Sequence, residues 1–183
     1  QSLPKKGRPM DAFAAALLIA GQIEGAGDYR EDCLRAIAKL PQIAATLMNY
    51  LAGWGKTPES KPELGYIENF IHMLQIPNKH TPQFLDVMRL FNVLHYDHDG
   101  GNLSTFVGKA VASSAEQMWG CLSAAMTALA GPKHGRANQD CLEFVQDVLQ
   151  EAGENASAKD IEALIRKRLG SNELIFGFGH AVL

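Results

Sequence analysis

Residue usage is the feature of this sequence that most restricts its fold. Alanine and leucine supply 45 of the 183 residues, whereas valine, isoleucine and threonine, which favour strands, supply 22. No segment alternates apolar and polar residues over the length of a strand. The one Asp-Gly pair, Asp99-Gly100, is followed by a helical pattern rather than by a second strand. The sequence therefore predicts an all-α protein.

Start and stop signals divide the chain into helices. Pro9 begins the first helix, which we predict to extend to about Gln22. The second is predicted from near Asp28 to about Leu51, and Pro41 within it predicts a kink or break because proline removes a hydrogen-bond donor. The other predicted helices are 66–75, one that begins at 81–82, 104–113, 115–129, 138–151 and 157–169. The segment 104–129 is rich in Ala, Gly and Ser, which indicates close helix packing, either deeply buried or at a subunit interface.

Charge, hydropathy and cysteine usage exclude several classes of protein. Seventeen basic and 20 acidic residues give a formal net charge of −3, so we expect no nucleic-acid partner. The longest apolar runs are about ten residues, too short to cross a bilayer. The three cysteines Cys33, Cys121 and Cys141 are widely spaced and odd in number, which predicts reduced, buried thiols in a cytosol-like compartment. We expect a soluble globular protein with no membrane partner.

Three of the six histidines lie in glycine-flanked turns: His98, His134 and His180. Glycine allows a ligand to approach the backbone closely, and histidine gives or takes a proton near neutral pH. For any one of them, a histidine satisfied by its own turn is the alternative interpretation. Taken together, the three predict a shared active site.

A metal site is a competing interpretation of the polar run 95–99. His95 and His98, with Asp97 and Asp99, form the densest group of potential ligands. The pair His98-Asp99 resembles the HD-type metal phosphohydrolases, which are also all-α but need further ligands from other helices. The sequence contains no dinucleotide fingerprint, P-loop or nucleophile elbow. We therefore predict no metal and no cofactor.

Several segments, in order, closely resemble the citrate synthase family. They are PMDAFAAAL, AKLPQIAATLMNY, LHYDHDGGNLSTFVGKAVASS, SAAMTALAGPKHGRANQD and ELIFGFGHAVL, and the likeness extends over essentially all 183 residues. The resemblance implies a citrate synthase-like multi-helical fold, here incomplete. It also implies an acyltransferase that condenses acetyl-CoA with oxaloacetate and water to give citrate and CoA, the first step of the tricarboxylic acid cycle.

The resemblance assigns roles to individual residues of this sequence. His134 matches the histidine that hydrogen-bonds the acetyl-CoA carbonyl oxygen and stabilises the enol or enolate. His180 matches the catalytic histidine that acts on the oxaloacetate carbonyl, and His98 matches a histidine that binds oxaloacetate. Ser104 matches a serine that orients the enol-stabilising histidine. The backbone that cradles the adenine of CoA matches Ile175, Gly177 and Phe178.

Family members carry a catalytic aspartate and carboxylate-binding arginines beyond the GHAVL motif, which none of these 183 residues can supply. We therefore expect an interior fragment that is inactive alone, with 1–136 part of the large helical domain and 137–183 the beginning of the small CoA-side domain. The resemblance further implies a homodimer in the cytoplasm, or in the mitochondrial matrix of a eukaryote. A 2-methylcitrate synthase that uses propionyl-CoA is the close alternative, and a non-catalytic oligomerisation core built on helices 104–129 is a second.

Overall fold

The computed structural model describes residue 4 and residues 6–77, 81–96 and 100–179, which form eight α-helices joined by turns and loops. The all-α prediction is confirmed. The helices are α1 (Pro9–Glu24), α2 (Tyr29–Ala52), α3 (Tyr66–Met73), α4 (Pro82–Leu94), α5 (Leu103–Ala112), α6 (Met118–Leu129), α7 (Ala137–Ala152) and α8 (Ala158–Gly170).

Local capping interactions explain why three of the helices begin close to where the sequence predicts. The carboxylate of Asp28 accepts hydrogen bonds from the first backbone amides of α2, and Thr81 caps α4 in the same way. Ser157 begins α8 with a reciprocal capping box to Asp160. Helix α6 begins three residues later than predicted, and Ala115, the predicted start, has a left-handed φ of 63° that no α-helix contains.

Helix α2 continues through Pro41, so of the predicted kink or break the break is wrong, and the kink stays a prediction. Proline cannot donate to the carbonyl oxygen four residues earlier, which belongs to Ile37. The hydroxyl of Tyr66, at the start of α3, donates to that oxygen at 3.1 Å. Partial burial also raises the pKa of Tyr66, which keeps the hydroxyl protonated as a donor. A neighbouring helix thus satisfies the acceptor that the proline leaves open.

The described residues fall into two compact units, unit 1 (Gln1–Ala128) and unit 2 (Leu129–Leu183). The core of unit 1 contains one cluster around Leu17, Ala36 and Trp119. Gly21 of α1 makes it possible, because a Cβ atom there would lie only 2.6 Å from the Cβ of Trp119. A second cluster joins α2 to α3 and contains Ala45, Met73 and Leu74.

Helices α5 and α6 meet through small residues but differ in burial. A Cβ atom on Gly108 of α5 would lie 3.3 Å from the Cβ of Ala125 of α6, which is close packing of the expected kind. Helix α6 contains four buried residues, whereas none of the ten residues of α5, all of them described, is buried. Deep burial therefore describes α6 and not α5, for which the subunit-interface alternative stays a prediction.

Two further expectations can be compared with the described residues. All three cysteines are free, but only Cys121 is buried, so the predicted burial is wrong for Cys33 and Cys141, which are partly exposed. No helix in the described part of the chain is both long and apolar enough to cross a membrane.

Candidate active site

His134 lies in a hydrogen-bonded turn directly before α7, within unit 2. Its backbone amide donates to the carbonyl of Gly131 at 3.0 Å, and its own carbonyl accepts from the amide of Ala137 at 3.0 Å. The residue is half-buried. Because the backbone is bonded on both sides, the position from which the imidazole projects is defined by the turn itself.

Gly135 holds this turn against Leu129. A Cβ atom on Gly135 would lie 2.7 Å from Cδ1 of Leu129 and 2.8 Å from its carbonyl oxygen. Real Cβ atoms do not approach backbone so closely, so a side chain at this position would push the turn away. Close packing is therefore what requires glycine directly after His134.

Ser104 is the second residue of α5, in unit 1, and is held by the residue that caps that helix. Its hydroxyl donates to Oδ1 of Asn102 at 2.7 Å, and the same oxygen accepts from the amide of Thr105 at 3.0 Å. The Asn102 amide nitrogen donates in turn to Oγ1 of Thr105 at 2.9 Å. Asn102 thus orients the serine hydroxyl at the start of α5, while the predicted role of Ser104 toward His134 stays a prediction.

Residues 175–178, which we call the CoA segment after their predicted role, pack on the first half of α7 in unit 2. Gly177 and Gly179 have φ values of 91° and 88°, which favour glycine over any other residue. A Cβ atom on Gly177 would lie 3.3 Å from Sγ of Cys141. Phe178, between the two glycines, is 84% exposed. Ile175 is half-buried, so the segment presents one exposed ring on a backbone that rests on α7.

The His134 turn and the CoA segment therefore both lie at the N-terminal end of α7. The His134 turn leads directly into α7, and Cys141, which contacts the CoA segment, lies about 6 Å along the helix from its first residue. His98 and His180, with Asp97 and Asp99, lie outside the described residues, and their roles stay predictions. Among the residues that are described, no group of three His, Cys, Asp or Glu side chains could hold a metal.

Sequence reasoning missed three residues that shape this region. Asn102 precedes a helical pattern, and its preference for the capping position was an available signal. The close approach of Gly135 to Leu129 has no signal in the sequence beyond the glycine itself. Arg168 lies in the last turn of α8, where a basic side chain needs no further explanation than the helix dipole, but its guanidinium pairs with Glu151 of α7, 17 residues away, at 2.8 Å.

The fold is shared with solved enzymes. The structure superimposes on citrate synthase from Thermotoga maritima with a TM-score of 0.74 and 28% identity, covering 97% of this chain and 45% of that one. For citrate synthase from Pyrobaculum aerophilum the TM-score is 0.71 at 25% identity, with 97% and 46% covered. The described helices therefore form part of a citrate synthase-like fold.

Sequence comparison extends this likeness to the whole chain. The family model described as "Citrate synthase, C-terminal domain" matches residues 1–183. The mitochondrial citrate synthase of Citrus maxima is 35% identical over 196 aligned positions, which cover 100% of this chain and 41% of that protein. The peroxisomal citrate synthase of Saccharomyces cerevisiae is 36% identical over 153 positions, covering 84% and 33%.

The chain belongs to the citrate synthase family. It spans 41% of the length of the mitochondrial relative from Citrus maxima. Membership over all 183 residues leaves the HD-type phosphohydrolase alternative without support.

Proposed function

We propose that the protein carrying this sequence condenses acetyl-CoA with oxaloacetate and water to give citrate and CoA. The family match over the entire chain supports this activity. The observation that carries the proposal is the histidine turn before α7. Backbone hydrogen bonds hold His134 there, and Gly135 packs on Leu129 without space for a side chain.

The chemistry needs a donor that is in position before the reaction. Removing a proton from the methyl group of a thioester places negative charge on the carbonyl oxygen. A preorganised donor stabilises that charge at little reorganisation cost, and His134 is the proposed donor. His180 would act on the oxaloacetate ketone, and His98 would bind the same substrate.

Ser104 and the CoA segment complete the proposed site. The hydroxyl of Ser104 would orient His134, and Asn102 restrains that hydroxyl within α5. The backbone at Ile175, Gly177 and Phe178 would receive the adenine of CoA. The packing of Gly177 on Cys141 supports a rigid base for that contact.

The domain assignment and the inactivity of the isolated chain belong to the same proposal. Residues 1–136 would form part of the large domain, and residues 137–183 would begin the small CoA-side domain. Oxaloacetate is a dianion whose carboxylates need cationic partners, best supplied by arginine. We expect those arginines and the aspartate base beyond the GHAVL motif, so a polypeptide of these 183 residues alone would not catalyse condensation.

We further propose a homodimer. The small-residue segment 104–129 supports this proposal, because none of the residues of α5 is buried and Phe106 on that helix is 63% exposed. The proposed location is the cytoplasm, or the mitochondrial matrix of a eukaryote, and relatives are named as mitochondrial and peroxisomal enzymes.

The substrate is tested by measuring CoA release from the complete protein that carries this sequence, with oxaloacetate and either acetyl-CoA or propionyl-CoA. A higher kcat/KM for acetyl-CoA supports citrate synthesis. A higher value for propionyl-CoA would favour the 2-methylcitrate alternative. No release with either thioester would contradict the proposed condensation.

The role of His134 is tested in the same assay. Replacing an oxyanion donor lowers kcat by about 10²- to 10³-fold, which is the loss expected for His134→Ala. His72→Ala, in the last turn of α3, is the matched control and should retain most of the activity. Equal losses in both variants would argue against a catalytic role for His134.

A further inference from the structure

The two arginines on either side of Lys167 in α8 lie in different environments. The Arg166 side chain is 75% exposed and pairs with Glu162 on its own helix. The Arg168 side chain is 16% exposed, and its guanidinium reaches across to Glu151 of α7, with Nη2 2.8 Å from Oε2. Arg168 is therefore the arginine of this pair that packs inside unit 2.

Arg168 also contacts an aromatic ring, which in turn contacts the CoA segment. Its Cζ atom lies 5.3 Å from the centroid of the Phe144 ring, within the range of a cation–π interaction. The centroids of the Phe144 and Phe176 rings are 6.0 Å apart, and the rings are inclined by 53°. Tilted rings at this separation attract each other beyond simple area burial. We call these three side chains the Arg168–Phe144–Phe176 stack.

The stack supports the segment that leaves α8. The amide of Glu173 donates to the carbonyl oxygen of Arg168 at 3.0 Å, so the same residue also holds the start of this segment. Phe176 stands between Ile175 and Gly177, two of the residues whose backbone is proposed to receive adenine. Its ring is therefore the anchor for that stretch of backbone.

We propose that Arg168 is a positioning residue for CoA binding, which holds residues 175–178 in their binding conformation through Phe144 and Phe176. Glu151 fixes the guanidinium over the Phe144 ring through its hydrogen bond. This inference rests on the proposed function. Because the proposed role of Arg168 is exerted through Phe144 and Phe176, its loss should weaken thioester binding more than it slows the chemical step.

The physical coupling is tested by amide hydrogen exchange in the complete protein without substrate. Arg168→Ala should speed exchange at residues 175–179, whereas Arg166→Ala should leave those rates unchanged. Unchanged rates in Arg168→Ala would overturn the positioning role. Equal acceleration throughout α7 and α8 would also overturn it, because that pattern reports general destabilisation of unit 2.

The functional consequence is tested by steady-state kinetics. Arg168→Ala should raise the KM for the CoA thioester by roughly tenfold, with kcat within about twofold of the parent value. Phe144→Leu should have the same effect, Arg168→Lys should recover part of the loss, and Arg166→Ala should change neither constant. A fall in kcat at constant KM would overturn the inference.

The proposed function and the positioning role of Arg168 can fail separately. If the parent protein condenses neither thioester, the proposed function is wrong, and the hydrogen-exchange result still decides whether Arg168 orders the segment. If the parent protein is active and Arg168→Ala matches Arg166→Ala in both KM and exchange, only the positioning role is wrong.

Discussion

Unit 1 and unit 2 stabilise their helices by different means. In unit 1 the helices meet through buried apolar side chains, such as Leu17 and Trp119, each 1% exposed. Among the described residues of unit 2, only Ala130 is buried. Its helices α7 and α8 are joined by the pairing of Glu151 with Arg168 and by ring contacts, and α8 begins with a capping box.

This difference predicts how the stability of each unit responds to changes in pH and salt concentration. Burial of apolar surface depends little on pH or salt, so the core of unit 1 should resist both. Exposed ion pairs and caps are local, individually weak and screened by salt. Unit 2, which contains His134 and the proposed CoA segment, should therefore be the more easily perturbed of the two.

Removing the largest buried side chain of unit 1 should have the largest effect. Trp119→Ala leaves a cavity beside Leu17 and Ala36, and we expect the free energy of unfolding to fall by about 3–5 kcal/mol. Urea denaturation followed by far-ultraviolet circular dichroism measures it. Leu174→Ala in unit 2, at a side chain 75% exposed, is the control and should cost less than about 0.5 kcal/mol. Similar losses in both variants would remove the contrast between the units.

Removing the buried side-chain amide of Asn49 in unit 1 should have the next largest effect on the free energy of unfolding. The Nδ2 of Asn49 donates to Oγ1 of Thr57 and to the carbonyl of Met73, both at 2.9 Å, and its Oδ1 accepts from the amide of Gln75 at 2.8 Å. Asn49→Ala leaves two backbone groups without these partners, so we expect a loss of about 3 kcal/mol in the same denaturation experiment. The exposed Asn138→Ala serves as the matched substitution in unit 2, and a loss there as large as for Asn49 would contradict this account.

Removing the side-chain cap of α8 should have a smaller effect on stability, confined to the first turn of that helix. Ser157→Ala removes the hydroxyl that accepts from the amide of Asp160 and donates to its carboxylate. We expect the opening free energy of the first turn of α8 to fall by about 1 kcal/mol, measured by amide hydrogen exchange. Ser171→Ala, at the other end of the helix, should leave that turn unchanged. Loss of protection throughout unit 1 would contradict a local role.

Acidification should produce the smallest change, and in unit 2 the change should appear only at low pH. The hydrogen bond from Arg168 lowers the pKa of Glu151 below 4.5, and the hydrogen bond from Ser157 lowers the pKa of Asp160 below 3.8. A lowered pKa in the folded state means that the stabilisation is complete above these ordinary values and is lost as the pH falls below them. Backbone NMR shifts around Glu151 and Asp160 should therefore stay constant through the ordinary carboxylate range and move only as the pH falls below it. Glu151→Gln should abolish this movement at the end of α7, and movement already at the ordinary pKa of a glutamate would argue against the effect of Arg168.

The helix limits were predictable because the responsible interactions lie within a few residues of each other. Asp28, Thr81 and Ser157 each cap the helix that directly follows, so the residue type and its position carry the signal. The break expected at Pro41 was wrong because its outcome depends on Tyr66, 29 residues from the carbonyl that it satisfies. The solvent exposure of α5 could not be predicted from the sequence either. Small residues indicate close approach to a neighbouring helix, but they do not indicate how much of the helix surface stays exposed.

The candidate site likewise contains residues that the sequence predicted and one that it did not. His134, Ser104 and the CoA segment were predicted from ordered motifs, and the structure adds the turn, the cap and the packing that hold them. Arg168 carried no such signal, because a basic residue near a helix C-terminus already has a sufficient local explanation.

The sequence by itself determined an all-helical chain, the approximate limits of its helices and its membership of the citrate synthase family. Only the tertiary structure decided that α2 passes through Pro41, that Gly21 and Gly135 have no space for a side chain, and that Arg168 turns toward Phe144. Capping and helix periodicity are interactions between near neighbours, which the order of residues specifies directly. Contacts between helices depend on distances that only the packed chain defines.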